Sequence, residues 1–223
     1  MVLTMAGIVV KILGGLNRIL LSRLLGGEGI GLYQMAYPVY ILLLSIIGAG
    51  IPIAVSIMIA EEAAKGHYSG VRRIFHVTLA FMTVVAVVCG LALPFGAHGL
   101  VTMGIVRDSR AFPALAVLAP ALSLSVVACC FRGYFQGLQL MTPTALSQMA
   151  DQFVRVCTML VLAWLLLPKG LEWAAAGAAF GAVPGAAAGL LLITFLYYRY
   201  SRQPMPEDDG VFRVQSPRRT SSA

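Results

Sequence analysis

Residues 11–34 read KILGGLNRILLSRLLGGEGIGLYQ. The first half has the Leu and Ile content of a bilayer-spanning helix, yet it carries Lys11, Asn17, Arg18 and Arg23. At about 100° per residue, Lys11, Gly14, Gly15, Arg18 and Ser22 fall within one arc roughly 100° wide, with Asn17 at its flank. Arg23 points elsewhere, near the segment end, where its long stem can carry the charge to the interface. A charge at the bilayer centre costs roughly 2.5–3.5 kcal/mol, whereas a Leu or Ile returns only about 0.3–0.6 kcal/mol. Lys11 and Arg18 together would cancel about ten apolar residues. The strip is therefore expected to face a hydrated cavity or other polar groups rather than lipid.

The whole chain sets the context. Its 223 residues are 59% hydrophobic and 11% charged, with mean hydropathy +0.87. Soluble domains carry about a quarter charged residues, so the composition points to a polytopic membrane protein. The net charge is +7, but the basic residues lie mostly in short loops and the tail, a pattern of membrane orientation rather than of a nucleic-acid partner. Cys89, Cys129, Cys130 and Cys157 lie in apolar runs without CxxC or zinc-ligand spacing, and His67, His76 and His98 are scattered. No metal and no cofactor are expected. Nor is an enzyme, since no nucleophile elbow, zincin motif or pair of catalytic carboxylates is visible. The start, MVLTMAGIVV, lacks the charged leader and cleavage site of a signal peptide, so the first segment is expected to be a retained helix.

Six apolar segments are expected to span the membrane, at about 3–24, 34–60, 75–99, 112–137, 143–167 and 173–198. The predicted fold is all-α, one six-helix transmembrane lobe over residues 1–200. Residues 201–223, SRQPMPEDDGVFRVQSPRRTSSA, form a disordered cytoplasmic tail in this reading. The glycine-rich LGGEGIGLYQ is expected to be a flexible connector, since it lacks the order of a phosphate-binding loop. Pro38, Gly48, Gly50 and Pro52 predict a kinked second span. In the sixth, Gly177, Gly181, Gly185 and Gly189 recur every four residues, with Pro184 among them, which predicts a close-packing face or a hinge. Lys65, Arg72, Arg73, Arg132, Arg199, Arg202, Arg213, Arg218 and Arg219 fall on one side, and Arg23, Arg107, Arg110 and Lys169 on the other. The richer side should be cytoplasmic, with both termini.

Two further spans carry polar faces. On the fifth, Thr144, Gln148, Asp151, Gln152 and Arg155 share a side, with Asp151 and Arg155 in the favourable i, i+4 order. On the fourth, Ser125, Cys129, Arg132 and Gln136 do so. Helical phase suggests that the polar strips of spans one, four and five converge, because burial together removes most of the insertion penalty.

Three stretches, KILGGLNRILLSRLLGGEGIGLYQMAYPVY (11–40), AGIPIAVSIMIAE (49–61) and RGYFQGLQLMTPTALSQMADQFVRV (132–156), resemble the stage V sporulation protein B family. That family lies in the polysaccharide-biosynthesis and lipid-flippase branch of the multidrug/oligosaccharidyl-lipid/polysaccharide exporters. The resemblance covers residues 5–200 and implies a flippase in the cell membrane. It would move lipid-linked sugar diphosphates, such as peptidoglycan precursors, by alternating access. In related flippases basic residues of the first helix line the central cavity. The matching positions are Lys11 and Asn17, with Arg18 beside it, and Arg23 at the outer end. Family members usually have two or more six-helix lobes, so the resemblance also implies a second lobe or a homodimer as partner, or a truncated chain. Two other functions fit the composition: a multidrug or cation exporter, which would favour acidic cavity residues, and a non-transporting membrane scaffold in cell-wall or spore-cortex assembly.

Overall fold

Gly26 decides how the chain enters the fold. In the computed structural model, which describes residues 2–48, 50–102 and 112–201, the first helix, α1, runs Val2–Gly48. A straight helix of its 47 residues would extend about 70 Å, more than twice the roughly 30 Å of bilayer hydrocarbon. One residue inside departs from helical geometry, Gly26, at φ 68° and ψ −173°. That combination is open essentially to glycine alone. The break folds α1 on itself, so that Asn17 and Arg18 of its first half line the same cavity as Tyr33 and Tyr37 of its second. The expected connector at 25–34 is thus helical on either side of a single glycine. Gly29 holds the resumed helix close to Leu171, where a Cβ would lie 3.2 Å from that side chain.

α2 covers Gly50–Ala64 and carries Pro52 in its first turn, where a missing N–H costs no helical bond. It ends in a Schellman turn. Gly66 sits at φ 74°, its N–H bonds Ala63 O at 3.1 Å, and the His67 N–H bonds Glu62 O at 3.0 Å. α3 (Tyr68–Thr102) starts at once. Arg72 and Arg73, expected in a 61–74 loop, therefore belong to the first turns of α3, because the glycine turn needs only a few residues. Beside them, hydrogen bonds to Glu61 and Glu62 hold the exposed Lys65 ammonium pKa above its ordinary value.

α4 (Phe112–Gly137) and α5 (Met141–Leu166) form a hairpin, whose turn places Gln139 at φ 57° and bonds Leu140 N–H to Phe135 O at 2.8 Å. A 3-10 turn at Leu167–Lys169 leads into α6 (Leu171–Phe180) and α7 (Ala182–Ser201). The predicted bend in the sixth span falls at Gly181, between these two. Pro184 has no N–H to offer the Phe180 carbonyl and its ring crowds that position. Arg107, Arg110 and the tail from residue 202 lie outside the described residues.

Among the described residues, six helical stretches are long and apolar enough to cross a membrane: Thr4–Gly31, Tyr40–Ala64, Tyr68–Ala92, Ala116–Gly137, Met141–Lys169 and Leu171–Ser201. Together they make an all-α, multi-pass membrane protein. The third begins earlier than its apolar run suggests, since it takes in the basic turns of α3. Outward-facing Ile12, Ile19, Phe81, Val88, Trp164, Leu191 and Phe195 are exposed, as side chains that meet lipid should be. α4 lies at the centre and packs against α1, α2, α3, α6 and α7. Leu118, Leu122, Val126, Cys130 and Phe135 on it are fully buried.

Glycines set the closest approaches. A Cβ at Gly181 would lie 2.8 Å from the Met159 backbone, one at Gly185 2.8 Å from Asp151 O, and one at Gly189 3.0 Å from Ser147 O. Gly177 meets Leu162 and Leu166 in the same way. The ladder of α6 and α7 thus presses on one face of α5. Gly133 and Gly137 of α4 lie as tightly on α2, at Pro52 and Ile59; the G-x-x-x-G spacing in RGYFQG is the sequence signal for that contact.

Replacing Gly181 by Val is expected to destabilise the fold by about 1–3 kcal/mol through overpacking. Gly15→Val, at a position with nothing near the added Cβ, should change stability little. Thermal unfolding of both variants in detergent micelles checks this, equal midpoints contradicting the packing role of the ladder.

Candidate functional site: a polar cavity between α1 and α5

The folded-back α1 and the polar face of α5 enclose a cavity of about 320 Å³, at the small end of ligand-site volumes. Gly14, Asn17, Arg18 and Leu21 line it from the first half of α1, and Ile30, Tyr33, Gln34, Tyr37 and Pro38 from the second. Gln152, Arg155 and Met159 close it from α5. A Cβ at Gly14 would lie 3.5 Å from the Gln152 amide nitrogen, so the small residue lets the two helices meet on their polar sides.

Asp151 organises the charges. Its Oδ1 accepts from Arg155 Nη2 at 2.9 Å and from Arg155 Nε at 3.3 Å. Its Oδ2 lies 3.7 Å from Arg132 Nη2 on α4. One carboxylate is thus shared by two guanidiniums, which leaves one positive charge uncompensated within this cluster. Arg18 adds another across the cavity and makes no ion pair among the described residues. The pairing is well shielded, since the Arg155 side chain is 10% exposed and that of Asp151 16%. Gly185 and Gly189 bring α7 onto the Asp151 turn, so the packing ladder also supports the charged cluster.

Asn17 is buried, and its Nδ2 donates to Met159 Sδ at 2.7 Å. Its Oδ1 has no hydrogen-bond partner among the described residues, and neither has Arg132 Nε. Both are unused polar capacity in or beside the cavity.

The sequence-derived candidates divide into three groups. Asn17, Arg18, Gln152 and Arg155 line the cavity, and Arg132 and Asp151 join it through Arg155. Gln136 and Gln148 are half-buried and lie off its lining. Lys11 is exposed, one turn before Gly14 on the same helix face, and also outside the lining. Sequence reading missed Tyr33, Gln34, Tyr37 and Met159. Tyr33, Tyr37 and Tyr40 recur at helical spacing, and their rings follow one another at 5.1 and 5.8 Å between centroids. The buried Tyr40 hydroxyl and Ser125 Oγ, 3.2 Å apart, tie that column to α4. The spacing was legible, but the glycine-rich stretch before it reads as a loop and hides the helix that aligns these rings.

A protein-family model described as polysaccharide biosynthesis protein matches residues 1–219. Stage V sporulation protein B of Bacillus subtilis is 35% identical over 203 residues, covering 91% of this chain and 39% of the relative. The lipid II flippase MurJ of the same organism is 31% identical, over 88% of this chain and 38% of the relative. The uncharacterized membrane protein YabM is 30% identical, over 90% and 37%. The chain thus spans about two fifths of the length of these relatives. No solved structure gives a match. Six apolar spans, a polar cavity between them and a family match over nearly the whole length place this chain in the polysaccharide biosynthesis protein family of multi-pass membrane proteins.

Proposed function

We propose that this chain takes part in flipping a lipid-linked sugar diphosphate across the cell membrane, and that the cavity between α1 and α5 receives the diphosphate. The observation that carries the reading is the charge balance of that cavity: Arg18 and Arg155 line it, and the one acid of the cluster is shared between two arginines. A diphosphate must shed water to cross. Guanidiniums lining a cavity, one of them the buried Arg155, replace that hydration with charge-assisted bonds. Asn17 and Gln152 add neutral donors, and Tyr33 and Tyr37 offer aromatic surface to the sugar. Similarity to the lipid II flippase MurJ supports the same chemistry. A cation exporter would need net acidity where this cavity is net basic.

Asp151 acts in this scheme as an internal counter-ion. An arriving phosphate competes with it for Arg155, and its return to Arg155 favours release. Lys11, exposed one turn from the cavity, serves as an outlying cation for the approaching headgroup. The break at Gly26 and the bend at Gly181 are the joints about which the halves rock. Relatives more than twice as long as the shared region leave room for a second lobe to close the cavity's other side, in the same chain or from a partner. Both termini then lie in the cytoplasm.

Binding of farnesyl diphosphate to the purified chain in detergent tests the site. Arg18→Gln and Arg155→Gln are each expected to weaken it about tenfold, as loss of a charged hydrogen bond implies. Unchanged, wild-type affinity in both variants, or binding of farnesol as tight as that of farnesyl diphosphate, would sink the reading.

Asp151→Asn is expected to tighten farnesyl diphosphate binding and to slow its dissociation, because the competing anion is gone. Stopped-flow dissociation measurements decide this; faster release from the variant would contradict the counter-ion role.

A further inference from the structure

A second crevice of about 320 Å³ lies between α3 and α7, over α4. Arg72, Phe75, His76 and Leu79 of α3 form one wall, Tyr197, Tyr198 and Ser201 of α7 the other, and Phe131 of α4 the floor. The floor is an aromatic cluster: Phe75 lies 5.2 Å from Phe131 and 4.8 Å from Tyr197 between ring centroids. Arg72 supplies positive charge at its edge. Arg73 and Arg199 are exposed on the same two helices but lie outside the lining, while the neighbouring Glu61 and Glu62 already engage Lys65. Arg72 makes no ion pair among the described residues, and its carbonyl fixes the His76 ring through a 2.7 Å bond to Nδ1.

We propose that this crevice binds the headgroup phosphate of an anionic glycerophospholipid, with Arg72 as the principal donor. Three observations select a lipid over a soluble anion. The crevice sits at the ends of the spans Tyr68–Ala92 and Leu171–Ser201, the depth of lipid headgroups. Its inner surface is apolar and aromatic, suited to the first methylenes of an acyl chain. Exposed Val77, Phe81, Leu191 and Phe195 continue along the same two helices into the hydrocarbon region. The phosphate would accept from the Arg72 guanidinium, with the Tyr198 and Ser201 hydroxyls in reach of the rest of the headgroup. Since α3 and α7 each pack on α4, a lipid seated here would brace them against each other. The site is separate from the cavity at α1 and α5 and does not depend on the transport reading.

Native mass spectrometry of the full chain, released from detergent with phosphatidylglycerol or phosphatidylcholine, tests the site. One phosphatidylglycerol should be retained in preference to phosphatidylcholine. Arg72→Gln should weaken retention about tenfold, as expected for a charge-assisted phosphate contact, while Arg199→Gln, outside the crevice, should change it by less than about twofold. Arg72→Lys, which keeps the charge but loses the forked geometry, should be intermediate and covers the case in which Arg72→Gln does not fold. Soluble glycerophosphoglycerol should fail to displace the lipid. Equal retention of both lipids, equal loss in the Arg72 and Arg199 variants, or displacement by the soluble headgroup would each overturn the proposal.

Discussion

One carboxylate held between two guanidiniums is the interaction on which the interior of this protein depends. Arg132 and Arg155 belong to different helices, and either alone would be costly in a bilayer. Sharing Asp151 keeps both within the protein at a single point. The sharing is unequal: Arg155 makes the short contacts and faces the cavity, while Arg132 stands farther off on α4. The cluster therefore keeps a surplus positive charge, which a neutral pair would not have.

That cluster needs close backbones around it, and the glycines of α7 provide them. Without Cβ atoms at Gly185 and Gly189, α7 lies directly on the turn that presents Asp151 and Arg155. In lipid, where no hydrophobic force drives helices together, such close packing is a main source of association. Packing and electrostatics therefore coincide on α5. The G-x-x-x-G pair of α4 does the same for α2. The charged site sits on this close-packed seam, while the folded-back α1 forms its other wall.

Much of the architecture could be read from the chain. Six apolar runs, the i, i+4 pairing of Asp151 with Arg155 and the four-residue ladder of glycines are local patterns with direct physical consequences. Two readings changed. LGGEGIGLYQ looks like a loop because four glycines weaken helix propensity, but the apolar partners of its far side keep it helical except at Gly26. Arg72 and Arg73 look like loop residues because they are charged, yet a three-residue turn ends before them.

The sequence by itself determined the medium, the number of spans and the helix faces on which charge must hide, because insertion energies and helical period depend only on residue order. Which faces meet was decided by tertiary structure alone. Gly26 turns α1 back so that Tyr33 and Tyr37 confront Arg18, and Asp151 reaches Arg132 across to α4. Those contacts join residues several helical turns apart, and only the folding of one helix against another brings them to one site.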